Sequence, residues 1–186
     1  MINVDLSHLF LYFFAYAILG YIWEMINQFI VTGKWRNRGF LYGPYQPIYG
    51  ITAIILLPII NSVINNPLLV FITIASVATI IELITAVILD KLGFKRLWDY
   101  RDSVFEVVRK TTRKGYISPL ISICWGLAAL PFVYFAQPVF ERFADNLLSW
   151  FGLPLIIILA AGLATDLVLS ISFKRNREKP ESGAKK

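Results

Sequence analysis

The chain has 186 residues, 57% of them hydrophobic and 16% charged, with a net charge of +6 and a mean hydropathy of +0.63. So apolar a composition excludes an ordinary soluble domain, and the length leaves no room for a second domain beside a membrane-embedded bundle. A single cysteine, Cys124, and a single histidine, His8, exclude a disulfide framework inside the chain and the usual zinc or iron clusters, so no metal and no cofactor is expected.

Five apolar runs predict helical spans at about 6–31, 48–64, 68–89, 117–136 and 151–173, each near the roughly 20 residues that cross a hydrocarbon core. The first has no basic leader and carries Asp5, which reads as a retained helix rather than a cleaved signal. After it comes a loop dense in glycine, proline and aromatic residues, from Gly33 to Gly50. That density imposes a defined, non-helical path, either re-entrant or tightly packed at the interface. Arg36 and Arg38 in this loop could reach buried acids or lipid phosphate, since guanidinium forks match both.

Pro58, Pro131 and Pro154 fall in or near later spans and predict kinks. The third loop contains Val104, Val107, Val108 and Thr111 on one helical face opposite charged residues. This pattern fits a short helix lying on anionic lipid or docking a cytoplasmic partner. Beyond Phe173 the chain is polar, basic and expected to be disordered.

Seventeen of the eighteen Lys and Arg residues fall on one side of a five-span arrangement, only Arg142 on the other. Such a bias marks the cytoplasmic side. It also accounts for the positive charge without a nucleic-acid partner, which is not expected. The predicted fold is therefore an all-α, multi-pass bundle in the cell membrane, N-terminus outside and C-terminus cytoplasmic. It forms one transmembrane domain over 1–173, followed by a cytoplasmic tail over 174–186.

Three carboxylates lie within the spans: Glu24, Glu82 and Asp166. Each stands eight to ten residues before the first cytoplasmic base, Lys34, Lys91 or Lys174. At about 1.5 Å per residue they share a depth of roughly 12 to 15 Å. Each also belongs to a small or polar stripe: Gly20, Glu24, Asn27 and Gln28; Ala75, Thr79, Glu82 and Ala86; Gly162, Asp166 and Ser170. Ser118, Ser122 and Gly126 continue the pattern in the fourth span, and such stripes are expected to face neighbouring helices. The acids could serve as hydrogen-bonded packing groups, or as a shared site for a proton, a cation or a substrate amine with pH-dependent occupancy.

The pair Trp23 and Glu24, the block Asn37 to Pro44 followed by Pro47, Ile48, Tyr49 and Gly50, then Glu82 with Thr85, Trp98-Asp99-Tyr100, and Trp125-Gly126 resemble the ABC-transporter type IV family, also called CmpB-like. The resemblance covers roughly residues 10 to 130. Asp90 departs from it, standing where similar proteins usually have glutamate, and Ser103 to Lys114 is more basic than the corresponding link. What the resemblance implies is a permease role. Taken with the reading of the residues, it makes Glu24, Glu82, Asp166, Arg36, Arg38, Tyr42, Tyr49, Thr85, Trp98 and Asp99 candidate substrate- or ion-binding residues.

Two functions from different classes are compatible with these features. One is a transport-related membrane subunit with an intramembrane carboxylate site. The chain has no Gly-x-x-x-x-Gly-Lys phosphate loop, so ATP hydrolysis would need a separate ATPase. A partner permease or a homo-oligomer would complete the pathway. The other is a non-transporting scaffold that binds lipid or a partner protein. No Ser-His-Asp set or nucleophile elbow supports a membrane enzyme, and no catalytic residue is assigned.

Overall fold

A computed structural model describes residues 2–35, 39–94 and 96–177. The candidates Arg36 and Arg38 and the expected disorder of the tail beyond 177 lie outside the described residues. Within them the fold is helical, and an isolated antiparallel bridge joins Arg113 to Ile117. The helices are α1 (Leu6–Thr32), α2 (Pro47–Asn61), α3 (Pro67–Lys91), α4 (Glu106–Thr111), α5 (Pro119–Pro131) and α6 (Gln137–Arg177). A 3-10 turn spans Tyr100–Asp102, and a π turn, Phe132–Ala136, joins α5 to α6.

Local chemistry sets most of these boundaries. Asp5 caps α1 by accepting from the His8 amide, and Gly33 ends that helix at φ 68, which a residue without a Cβ adopts at little cost. Asn66 caps α3 through the amides of Leu68 and Leu69. Pro47, Pro67 and Pro119 open α2, α3 and α5, where the missing amide is no loss.

Three stretches are long and apolar enough to cross a membrane: Leu6–Thr32, Pro67–Lys91 and the continuous helical run Pro119–Phe173, with α2 a shorter apolar helix. Large apolar side chains such as Leu68, Ile72, Ile80, Ile84 and Ile88 of α3 are exposed, as a lipid-facing helix requires. The residues between the fourth and fifth predicted spans, 137–150, are helical and continue into α6. The break falls at Gly152, with φ 44 and ψ −132, a conformation few other residues reach.

Contacts fix the direction of each helix. Ile2 and Asn61 exchange two hydrogen bonds of 2.8 Å, so α2 ends where α1 begins. Tyr134 donates to the Ile64 carbonyl at 2.8 Å, which brings the end of α5 back to the α2–α3 turn. The first part of α6 then packs on α1, where Phe140, Ala144 and Leu147 meet Leu11 and Tyr12. At the far end Phe40 and Phe94 stack edge to face at 5.3 Å, joining the first and third loops.

The first loop does not stay at that end. Gln46 N–H donates to the Ala17 carbonyl at 2.9 Å, and Tyr45 meets Phe14 ring to ring at 6.0 Å. Both partners lie near the middle of α1. The loop therefore climbs back into the bundle before α2 starts, and α2 is short because it begins midway along its neighbour. The dense run of glycine, proline and aromatic residues thus takes a defined, non-helical path packed along α1.

Candidate functional site

Two acid–phenol pairs occupy the interior between α1, α2, α3 and α5. Tyr49 on α2 donates to Glu24 Oε1 on α1 at 2.7 Å. The approach depends on Gly20, where an added Cβ would fall 2.2 Å from the Tyr49 ring. Tyr100, in the 3-10 turn, reaches down to donate to Glu82 Oε1 of α3. Trp125 of α5 stands between the phenols, packed against Tyr49 at 5.5 Å and 76° and within side-chain hydrogen-bonding reach of Tyr100. Glu24 lies within electrostatic range of both Glu82 and Tyr100.

Glu82 is the most enclosed of the three acids, 8% exposed. Its second oxygen, Oε2, is buried with no hydrogen-bond partner. Burial, and then the Glu82 carboxylate, hold the Tyr100 phenol far above the ordinary phenol range. No ion pair among the described residues includes Glu24 or Glu82.

A charged knot holds Tyr100 in place. Asp99 caps the turn by accepting from the Arg101 amide at 3.0 Å, and its carboxylate pairs with the guanidiniums of Arg101 and Arg96. The Arg101 contact above all lowers the Asp99 pKa from 3.8 to about 2. Arg96 also pairs with Asp90 at 2.8 Å and lies 4.6 Å over the Tyr116 ring. Trp98 donates its indole N–H to the Tyr116 carbonyl at 2.9 Å. Gly115 allows this closure: its φ is +81, and a Cβ there would lie 2.1 Å from Asp99 Oδ1.

Asp166 is engaged elsewhere. Its carboxylate accepts from the amides of Tyr42 at 2.9 Å and Gly43 at 2.7 Å, from the Tyr45 hydroxyl at 2.8 Å, and from Ser170 at 2.9 Å. Loop amides with no helix or sheet to serve them need other acceptors. Asp166 supplies them for the first loop.

The acids expected to converge thus divide, with Glu24 and Glu82 sharing one interior cluster and Asp166 pinning the loop. Tyr49 belongs to the cluster. Tyr42 contributes its backbone amide to Asp166 while its side chain is exposed. Thr85 is half-buried, one turn beyond Glu82 on α3. Trp98 and Asp99 position the cluster from outside it. Tyr100, Trp125 and Tyr45 complete the picture. None was among the candidate residues: Tyr45 and Tyr100, near span ends, read equally well as interfacial anchors, and Trp125 stood only in the family pattern.

The small-residue stripes divide as well. Thr79 donates to Ser122 at 2.6 Å across the α3–α5 contact, and Gly126 lets Phe71 approach to where a Cβ would be only 2.7 Å away. On α6, Gly162 faces open space, and on α1 Asn27 is exposed.

The family described as "Putative ABC-transporter type IV" matches residues 11–171. No curated protein and no solved structure matches the chain.

Proposed function

The chain belongs to the ABC-transporter type IV family, and from that membership we propose a transport-related subunit of the cell membrane whose Glu24–Tyr49 and Glu82–Tyr100 pairs take up a proton or a small cation. The observation that carries this reading is the Glu82 carboxylate. It is enclosed, served by one phenol and left with a bare oxygen. A charged group at mid-membrane costs about 2.5 to 3.5 kcal/mol on insertion scales, and among the described residues no basic side chain pairs with Glu82. A proton is small enough to bind Oε2 where it stands. A larger cation needs Tyr100 to withdraw.

In this proposal the chain crosses the membrane five times as one domain, with N-terminus outside and C-terminus in the cytoplasm. The helix directions and the one-sided distribution of Lys and Arg support that topology. The first loop and Tyr100 then close the site from the cytoplasmic side. ATP hydrolysis, where it drives the process, comes from a separate ATPase, since this chain has no phosphate-binding loop. A second permease chain or a second copy completes the pathway.

The test is thermal unfolding of purified protein across pH for the native chain, Glu82→Gln and Asp166→Asn. We expect the native pH dependence to flatten in Glu82→Gln and to persist in Asp166→Asn, which is less stable at every pH. Equal pH dependence in the native protein and Glu82→Gln would return the acids to a packing role.

A further inference from the structure

We infer that the surface formed by Val104, Phe105 and Val107 around α4, with Lys110, Arg113 and Lys114 beside it, is a docking site for anionic lipid headgroups. This rests on the membrane reading of α3 and α5 but not on the acid–phenol site. The chain leaves α3 at Lys91 and starts α5 at Pro119. Both helices belong to stretches apolar enough to cross a membrane, so residues 92–118 lie at one end of two spans, at a bilayer surface.

The loop meets that surface in a fixed orientation. Val108 is completely buried and Thr111 Oγ1 lies 3.3 Å from Ser118 Oγ at the start of α5, which anchors α4 by one face. Arg109 folds back to donate to the carbonyls of Ser103 at 2.7 Å and Val104 at 3.2 Å. This holds the turn that presents Phe105. On the outward side Val104, Phe105 and Val107 are 62%, 65% and 57% exposed.

Charge decides what covers those three side chains. Between Arg101 and Lys114 there are five basic residues, Arg101, Arg109, Lys110, Arg113 and Lys114, and two acids, Asp102 and Glu106. Glu106 is already paired with Lys110 at 2.5 Å. Apolar side chains ringed by net positive charge match the boundary between acyl chains and anionic phosphates, where the apolar groups enter and the bases stay at the headgroups. A protein partner would have to displace a membrane that already adjoins both flanking helices.

A spin label reads the depth of this surface. Cys124, the only native cysteine, is exposed. The label is therefore placed on Val107→Cys, and separately on Val104→Cys, in a Cys124→Ser background. Each protein is put into nanodiscs of phosphatidylcholine alone or of phosphatidylcholine with phosphatidylglycerol, and accessibility to oxygen and to a water-soluble nickel complex is compared. We expect both labels to gain oxygen and lose nickel accessibility several-fold in the anionic discs. That gain should disappear when Lys110→Gln, Arg113→Gln and Lys114→Gln are combined. Labels open to nickel in both discs would overturn the proposal in favour of a surface awaiting a protein partner. Equal burial in both discs would overturn it in favour of insertion indifferent to lipid charge.

Discussion

Single side chains decide whether the acid–phenol cluster forms. Gly20→Ala would place a methyl 2.2 Å from the Tyr49 ring, and neither helix can retreat without losing its packing. We expect a loss of about 1 to 3 kcal/mol, with the Tyr49–Glu24 bond broken, read as a lower unfolding midpoint in denaturant. Tyr100→Phe strips Glu82 of the one donor it has among the described residues, which costs about 1 to 3 kcal/mol. The same change in a Glu82→Gln background should cost less, because no carboxylate remains there for the phenol to serve. A double-mutant cycle measures the difference, and additive losses would mean that the two groups are not coupled. The charged knot titrates separately. Asp99 has its pKa lowered from 3.8 to about 2, chiefly by Arg101. Its stabilising contribution is present above about pH 4 and is lost as pH falls through about 2. Asp99→Asn should therefore be less stable at neutral pH and lack that acid step.

At the scale of elements, periodicity and run length place α1, α2 and α3 within a few residues, because runs of about 20 apolar residues between clusters of charge have few alternatives. What they do not resolve is depth. Tyr45 and Tyr100 read as interfacial anchors in one dimension, whereas the folded chain draws both inward through Asp166 and Glu82. Asp166 was legible as an intramembrane acid; its partners, two loop amides and a phenol more than 120 residues away, were not, since backbone donors leave no mark in a sequence. The first part of α6 was equally hidden. Its anchors are polar and distant: His8 bridges Asp5 at 2.6 Å and Asp145 at 2.8 Å, Asn3 N–H donates to Glu141 at 2.7 Å, and the fully buried Gln137 accepts from Tyr16 at 3.0 Å. His8→Ala removes the clasp between the start of α1 and this segment. It should lower thermal stability by about 1 to 3 kcal/mol and raise amide exchange over 137–151, while leaving exchange around Tyr100 unchanged.

Considered as a whole, the molecule completes its interior, between helices long enough to cross a membrane, with parts too short to do so. The first loop and α2 together return the chain to the end where α1 begins. The third loop meanwhile lowers Tyr100 onto Glu82 from the opposite end. Loop backbone outside helix and sheet needs hydrogen-bond partners from elsewhere, so α6 and the first loop depend on each other through Asp166. This sharpens the topology into a prediction. If the helix directions are membrane crossings, a cysteine at Ser149, before the Gly152 break, lies outside the cell, and one at Ser182, in the sequence that follows α6, lies in the cytoplasm. In a Cys124→Ser background, an impermeant maleimide applied to intact cells should label the first and not the second, and lysis should expose both. Labelling of both positions in intact cells, or of neither, would mean that the run from α5 through α6 does not cross the membrane twice. Asp166 would then lie on the same side as Ser149, and the loop it pins could not be the cytoplasmic mouth of the site.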